Sequence, residues 1–408
     1  MAGADFRFCC LVGAVGVYAL FGSPTPNAPG WGEALIAIFL CLAVGVPGVY
    51  NVLKPASPRF MWKSAGRALL IYGLCISLPL GILNGQDGVH IIRDMTPFLF
   101  FVLPLFLHDI FDRRPDAVHL FLLVLIVLGL AFSFRAVPEV IGWWQGSYVG
   151  ELYYFANAPS VLFAGILLVG FGVQNFIEKF SPRSLFLFSG CFFLALVPLA
   201  AVVFSLQRAS FGAFLLAMVI FLAVGVVRSP ARGMFLISLL FLVVLSFFPV
   251  IGQFMELMVQ KTGDVGFNSR FEEIAAVWGE IAGSPMTVLF GSGWGGMFES
   301  PAVAGIRVNY THSLLSAMIL KTGIFGFGLT LCYLVGLTVM LVDVFRRDVA
   351  LFLALAAPFL IDVFLYASYK SLDFGLILVL VAVSAPSLKV ALQRRVLYSH
   401  LYNRLGFK

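Results

Sequence analysis

Residues 117–137 read AVHLFLLVLIVLGLAFSFRAV, an apolar run with a single charge, Arg135, directly after the turn Arg113-Arg114-Pro115-Asp116. As a helix rising 1.5 Å per residue, such a run spans the roughly 30 Å hydrocarbon core of a bilayer. The rest of the chain has the same character. Of its 408 residues 61% are apolar and 11% charged, with a mean hydropathy of +1.01. A soluble domain is about a quarter charged, so this chain has too little polar side chain to coat a globule in water. Disorder, a coiled coil and a secreted disulfide scaffold are excluded. The six cysteines lie within or at the edges of apolar runs, with no Cys-x-x-Cys pair or His/Cys cluster, so zinc and disulfide readings fail as well.

Windows of about 19 residues give apolar spans near 7–22, 32–52, 66–83, 90–110, 117–137, 155–176, 184–206, 211–227, 234–252, 313–342, 350–369 and 373–392. The expected fold is all-α, a polytopic membrane protein of about twelve transmembrane helices. It divides into helices one to nine (1–252), one long loop (253–312), and helices ten to twelve with a tail (313–408). Every second connection is basic: Lys54, Arg59, Lys63 and Arg67, then Arg113 and Arg114, Lys179 and Arg183, Arg228 and Arg232, Arg346 and Arg347. With those connections and both termini in the cytoplasm, the inner side carries 18 Lys+Arg and 7 Asp+Glu and the outer side 8 and 13. The net +6 is thus an inner +11 and an outer −5, the asymmetry that retains basic flanks in the cytoplasm. Ser23-Pro24-Thr25-Pro26 after the first span resembles the end of a signal peptide. No small-x-small cleavage site accompanies it, and its removal would leave an odd number of helices.

The long loop is too rich in pattern to be disordered. Ser269-Arg270-Phe271-Glu272 is a Ser-x-x-Glu capping box, followed by Phe271, Ile274, Ala275, Trp278 and Ile281 at helical spacing. An amphipathic helix is expected from about Arg270 to Gly283-Ser284-Pro285. Arg270 then falls in its first turn, where the helix dipole already presents positive charge; an anion there would resolve the conflict, and a solvated arginine is the plainer alternative. Farther on, Gly291-Ser292-Gly293-Trp294-Gly295-Gly296 matches Gly-x-Gly-x-x-Gly in form. Without a strand-helix-strand unit around it the dinucleotide reading fails, and a turn packed closely against neighbouring backbone is expected.

On an acidic outer side the few basic groups are the ones to explain. Arg93 precedes Asp94 near the outer start of the fourth span, Arg208 sits in a very short outer connection, and His312 stands where the long loop re-enters the membrane. Each has a plain structural reading: a local pair with Asp94 for Arg93, a snorkelling arginine for Arg208, a satisfied interfacial histidine for His312. If the helices pack as a bundle, these residues and Arg270 converge on an anion site beside a titratable base. Arginine forks bind phosphate oxygens and imidazole suits general-base work. The pairing fits transfer from a phosphate-linked donor, and no outer Asp-x-Asp pair offers itself to a divalent metal.

At this level the chain resembles the O-antigen ligases. His312-Ser313, nine residues, then Gly323-Ile324-Phe325-Gly326 is similar to their histidine signature. Gln207-Arg208-Ala209-Ser210-Phe211-Gly212 resembles their arginine at an outer helix junction; Arg270, Trp278 and Gly291-x-Gly293 resemble the arginine, tryptophan and glycine run of their large loop. The layout matches over the whole chain, and motif-level likeness is concentrated between Arg208 and Gly326. The resemblance implies a type C glycosyltransferase fold in the bacterial inner membrane, with a periplasmic active site. It also implies an undecaprenyl-diphosphate-linked glycan as donor and lipid A core as acceptor. Arg208 and Arg270 would bind the diphosphate and His312 would act as base or position the acceptor. Arg93 joins the diphosphate-binding set on the local argument alone. No metal, cofactor or nucleic acid is expected. O-antigen and exopolysaccharide polymerases share the layout and are the second reading. From a different class, a secondary transporter also has twelve spans, with Asp362 as its best residue; there the ionisable groups belong near the bilayer midplane, whereas here most sit at the outer interface.

Overall fold

A computed structural model describes residues 2–24, 30–54, 61–144, 155–205, 207–246, 269–303 and 305–384, with isolated positions between 248 and 259. Nine helices among them are long and apolar enough to cross a membrane: α1 (Gly3–Phe21 within Ala2–Phe21), α2 (Trp31–Leu53), α3 (Met61–Leu83), α4 (Gly88–Arg113), α5 (Ala117–Val137 within Ala117–Trp144), α6 (Pro159–Glu178), α7 (Pro182–Phe204), α8 (Arg208–Arg228) and α12 (Leu314–Phe345). Shorter apolar helices α9 (Pro230–Ser246), α13 (Val349–Phe364) and α14 (Leu372–Ser384) fall on the other three expected spans. The chain is therefore an all-α multi-pass membrane protein. Residues 385–392 of the last expected span, and 260–268 of the long loop, lie outside the described residues.

Burial shows which helices form the centre. In α6, 78% of the apolar window is buried, against 22% in α2 and in α7, and every residue of α14 is buried. Apolarity alone does not decide this, since a helix apolar all round can also face lipid; α6 is central because α5, α7, α8 and α13 pack around it. The centre is pinned by one polar knot. Asp373 on α14 accepts from Tyr18 Oη of α1 at 3.1 Å and from the backbone N–H and hydroxyl of Ser160 on α6 at 3.0 and 2.8 Å. A buried carboxylate is tolerated only with such partners.

The long loop folds as expected at its start and differs in its facing. Helix α10 (Ser269–Ile281) is followed by α11 (Pro285–Phe290) and a two-stranded antiparallel hairpin, β1 (Phe298–Ser300) with β2 (Ile306–Val308), which the sequence did not announce. Four of the five apolar residues named from spacing point outward, Phe271 (76% exposed), Ile274 (52%), Trp278 (49%) and Ala275, while Ile281 turns inward. The buried face carries Glu273, Val277 and Ile281, the last two packing with Phe298 and Leu320. Beside a bilayer the usual rule is not binding, because an apolar face can meet lipid while a buried glutamate turns inward to its partners.

Candidate functional site

Three helices begin at the loop-bearing end, each with a named basic residue. Arg208 is the first residue of α8, Arg270 the second of α10, and His312 precedes Ser313, the N-cap of α12 whose hydroxyl accepts from Ser316 N–H at 3.1 Å. The first N–H groups of a helix have no intrahelical acceptor, and the helix dipole is positive there. Three such ends in one place favour an anion.

The site is organised by a residue that spacing did not single out. Glu273, whose side chain is 2% exposed, accepts from the backbone N–H of His312 through Oε1 and meets its ring Nδ1 through Oε2, both at 2.7 Å; Arg270 Nη1 lies 3.6 Å from the same Oε2. One buried carboxylate therefore fixes the histidine's backbone and ring and also holds the arginine. The partners stay open, with Arg270 36% and His312 26% exposed at the side chain. A carboxylate accepts only, so the ring proton belongs on Nδ1 and the Nε2 lone pair is left to take a proton. The dipole conflict at Arg270 is thus met in part from within the chain. The available signal was position: Glu273 follows Arg270 by three residues, a spacing that makes neighbours on a helix.

Tyr366 closes the other side. Its hydroxyl accepts from Ala209 N–H at 3.3 Å, and Arg208 and Arg270 both act on it. Burial pushes its phenol up, while the Ala209 N–H and the two guanidinium groups draw it down. Burial likewise lowers Arg270, opposed by Glu273 and Tyr366, with Arg208 adding to the fall. Arg208, Arg270 and His312 are therefore brought together, through Tyr366 and Glu273. The expected span 350–369 is broken at Phe364, and the 3-10 turn Ala367–Lys370 after it brings Tyr369 and Lys370 to this end. Tyr369 Oη donates to Thr311 O at 3.4 Å, beside His312.

Arg93 departs from its expected local pair. It is exposed, while the neighbouring Asp94 is buried and paired with Lys321 of α12 at 2.6 Å; Asp94 also accepts from Gly295 N–H at 2.7 Å and from Asn309 at 3.4 Å. Adjacent helical residues point about 100° apart and do not face one another, so Arg93 and Asp94 part company. Lys321 is a further residue missed from sequence, where it lay inside an apolar run. Asp362 is buried and accepts from Ser368.

The glycine run has a structural task. Gly291, Gly293 and Gly295 all have positive φ, and the loop threads between α3 and α12 where both helices depart from α geometry, at the π turn Gly73–Ser77 and at Gly323 (φ 61). Carbonyls there are answered by the loop. Ser292 and Gly293 N–H donate to Leu320 and Lys321 O at 2.9 and 3.1 Å, and Trp294 N–H and Nε1–H to Ser77 and Gly73 O at 3.1 and 2.8 Å. Irregular backbone within a membrane protein persists where protein groups satisfy it. The close-packed turn expected from sequence is what is found.

Among the described residues no group of three or more His, Cys, Asp or Glu side chains could hold a metal ion. Set against family models, curated proteins and solved structures, the chain finds no match.

Proposed function

We propose that this chain is a membrane glycosyltransferase of the O-antigen ligase kind, moving a glycan from undecaprenyl diphosphate to a hydroxyl of lipid A core. The observation that carries the reading is His312, held by buried Glu273 beside Arg270, at the end where Arg208 and two further helix N-termini meet. In the proposed arrangement twelve helices span the bacterial inner membrane, both termini are cytoplasmic and the site opens to the periplasm, in keeping with the charge asymmetry.

The donor's isoprenoid lies in lipid and its diphosphate against Arg208 and Arg270. The acceptor oxygen attacks the anomeric carbon and gives its proton to His312 Nε2. As the new carbon–oxygen bond forms, the bond to the diphosphate oxygen breaks and that oxygen keeps the electron pair. The arginines stabilise the charge on the departing undecaprenyl diphosphate, the role a divalent cation plays in other phosphate chemistry. Glu273 holds the imidazole in the tautomer that can act as base and offsets the charge it gains.

Transfer by His312→Ala, Arg208→Ala and Arg270→Ala in membranes tests the proposal. Losses of 10²-fold or more are expected from each, and wild-type rates in all three would sink it. A deletion strain separates ligase from polymerase. Unligated polymer with a bare core supports the ligase, and a core bearing one repeat unit supports the polymerase.

A further inference from the structure

Beyond the diphosphate-binding arginines, the same end holds cations that the donor does not need. Near Lys370 stand Arg93 and Asp94 of α4, Lys321 of α12 and Glu273 of α10, all acting on its ammonium, with Tyr310 beneath it and Tyr369 beside it in the chain. Both carboxylates are already engaged: Asp94 by Lys321, Gly295 and Asn309, Glu273 by His312 and Arg270. Lys370 makes no ion pair among the described residues. Its Nζ sits 4.4 Å from the centre of the Tyr310 ring, a cation–π contact that fixes the ammonium without neutralising it. The Tyr310 ring is in turn 6.1 Å from the His312 ring. Lys370 also lines a small cavity shared with Asp94, Asn309, Lys321 and Tyr369. His312 is thus tied through Glu273 to Arg270 and flanked through Tyr310 by Lys370.

We infer that Lys370, with Arg93 at its rim, is a second anion subsite, and that it takes a phosphate on the acceptor. The inference rests on the transferase reading for the word acceptor and on the charge arrangement for the anion. An acceptor anchored there would lie across His312 from the donor diphosphate, which orients a hydroxyl toward the base. Arg93, assigned from sequence to the diphosphate, then serves the acceptor instead. Burial, with Lys321 and Arg93 adding to it and Asp94 and Glu273 opposing, lowers the Lys370 ammonium to about 7. The subsite is therefore charged on the acid side of neutrality and weakens as the pH rises.

Binding to the full chain in nanodiscs tests this without turnover. The probes are lipid A core carrying its phosphates, the same glycolipid after phosphatase treatment, and undecaprenyl diphosphate. Lys370→Met should weaken the phosphorylated glycolipid roughly 10-fold or more, leave the other two unchanged, and be rescued by Lys370→Arg. From pH 6 to 8.5, wild type should lose affinity for the phosphorylated form relative to Lys370→Arg. Arg270→Ala should do the reverse, weakening undecaprenyl diphosphate alone. An equal loss for both glycolipid forms, or a matching loss for undecaprenyl diphosphate, overturns the assignment. So does competition by phosphatidylglycerol in the nanodisc, which would make the ligand a bilayer headgroup. A chain that binds through Lys370 and transfers nothing would instead overturn the transferase reading and leave the subsite standing.

Discussion

Replacing Glu273 by glutamine exchanges one carboxylate oxygen for an amide NH2 and changes nearly nothing in size, so its effect can be worked out from the contacts. In the native site Oε1 accepts from the His312 backbone N–H and Oε2 from ring Nδ1, each at 2.7 Å. The backbone N–H can only donate, so the glutamine must turn its carbonyl oxygen there. Its amide nitrogen then faces the ring and donates to Nδ1, which moves the ring proton to Nε2. His312 keeps its place and loses its ability to accept a proton. In a serine-protease triad the equivalent change of aspartate to asparagine costs about 10⁴ in kcat. A fall of on the order of 10³-fold is expected here, roughly 4 kcal/mol of barrier, because Arg208 is untouched and Arg270, though it loses its carboxylate partner, keeps its charge. The assay is transfer by purified Glu273→Gln in nanodiscs beside a thermal melt, which should stay close to wild type since the side chain still fills its buried slot. Near wild-type transfer with an intact fold would refute the argument that Glu273 sets the tautomer.

Three other outcomes follow from the packing. Lys321→Met leaves Asp94 charged and buried without its partner, a change that costs about 3–5 kcal/mol; the double variant with Asp94→Asn should melt higher than Lys321→Met, and a lower melt would deny the pair its role. In Gly323→Ala the new Cβ stands 2.4 Å from Gly291 N at φ 61, so the glycine loop must shift; a melting point well below wild type is expected, and an unchanged one counts against the contact. Val277→Ala should cost about 2 kcal/mol, while Phe271→Ala should leave stability in detergent nearly unchanged, since Val277 is 1% and Phe271 76% exposed. The opposite order would restore the facing that spacing suggests.

Why some of this was legible in sequence and some was not has a physical basis. Apolar length alone places the spans, because lipid leaves no other way to satisfy backbone groups over a run such as 117–137. Scarcity of outer charge exposes Arg208, Arg270 and His312, since an ionisable residue in that setting needs a partner or a ligand. Glu273 stayed hidden because Phe271, Ile274 and Trp278 of its helix face outward; were that side water, those residues would be buried and the glutamate exposed. Lys321 lay inside an apolar run and Lys370 in the short gap between the last two expected spans, and only the break after Phe364 and the tertiary meeting with Asp94 give them meaning. Gly323 belongs to the histidine signature by resemblance; its backbone contact with the glycine loop is a long-range fact that no local pattern carries.

Reconstitution with purified components is the direct test of whether His312, Arg208 and Arg270 act together in glycan transfer. Full-length protein in proteoliposomes would receive undecaprenyl-diphosphate-linked glycan and lipid A core, with a chelator present, and both products would be followed by mass spectrometry. One undecaprenyl diphosphate should be released for each glycan joined to the core, with His312→Ala silent. Release without joining, chain growth on the lipid carrier, or transfer that persists in His312→Ala would contradict the proposed transfer.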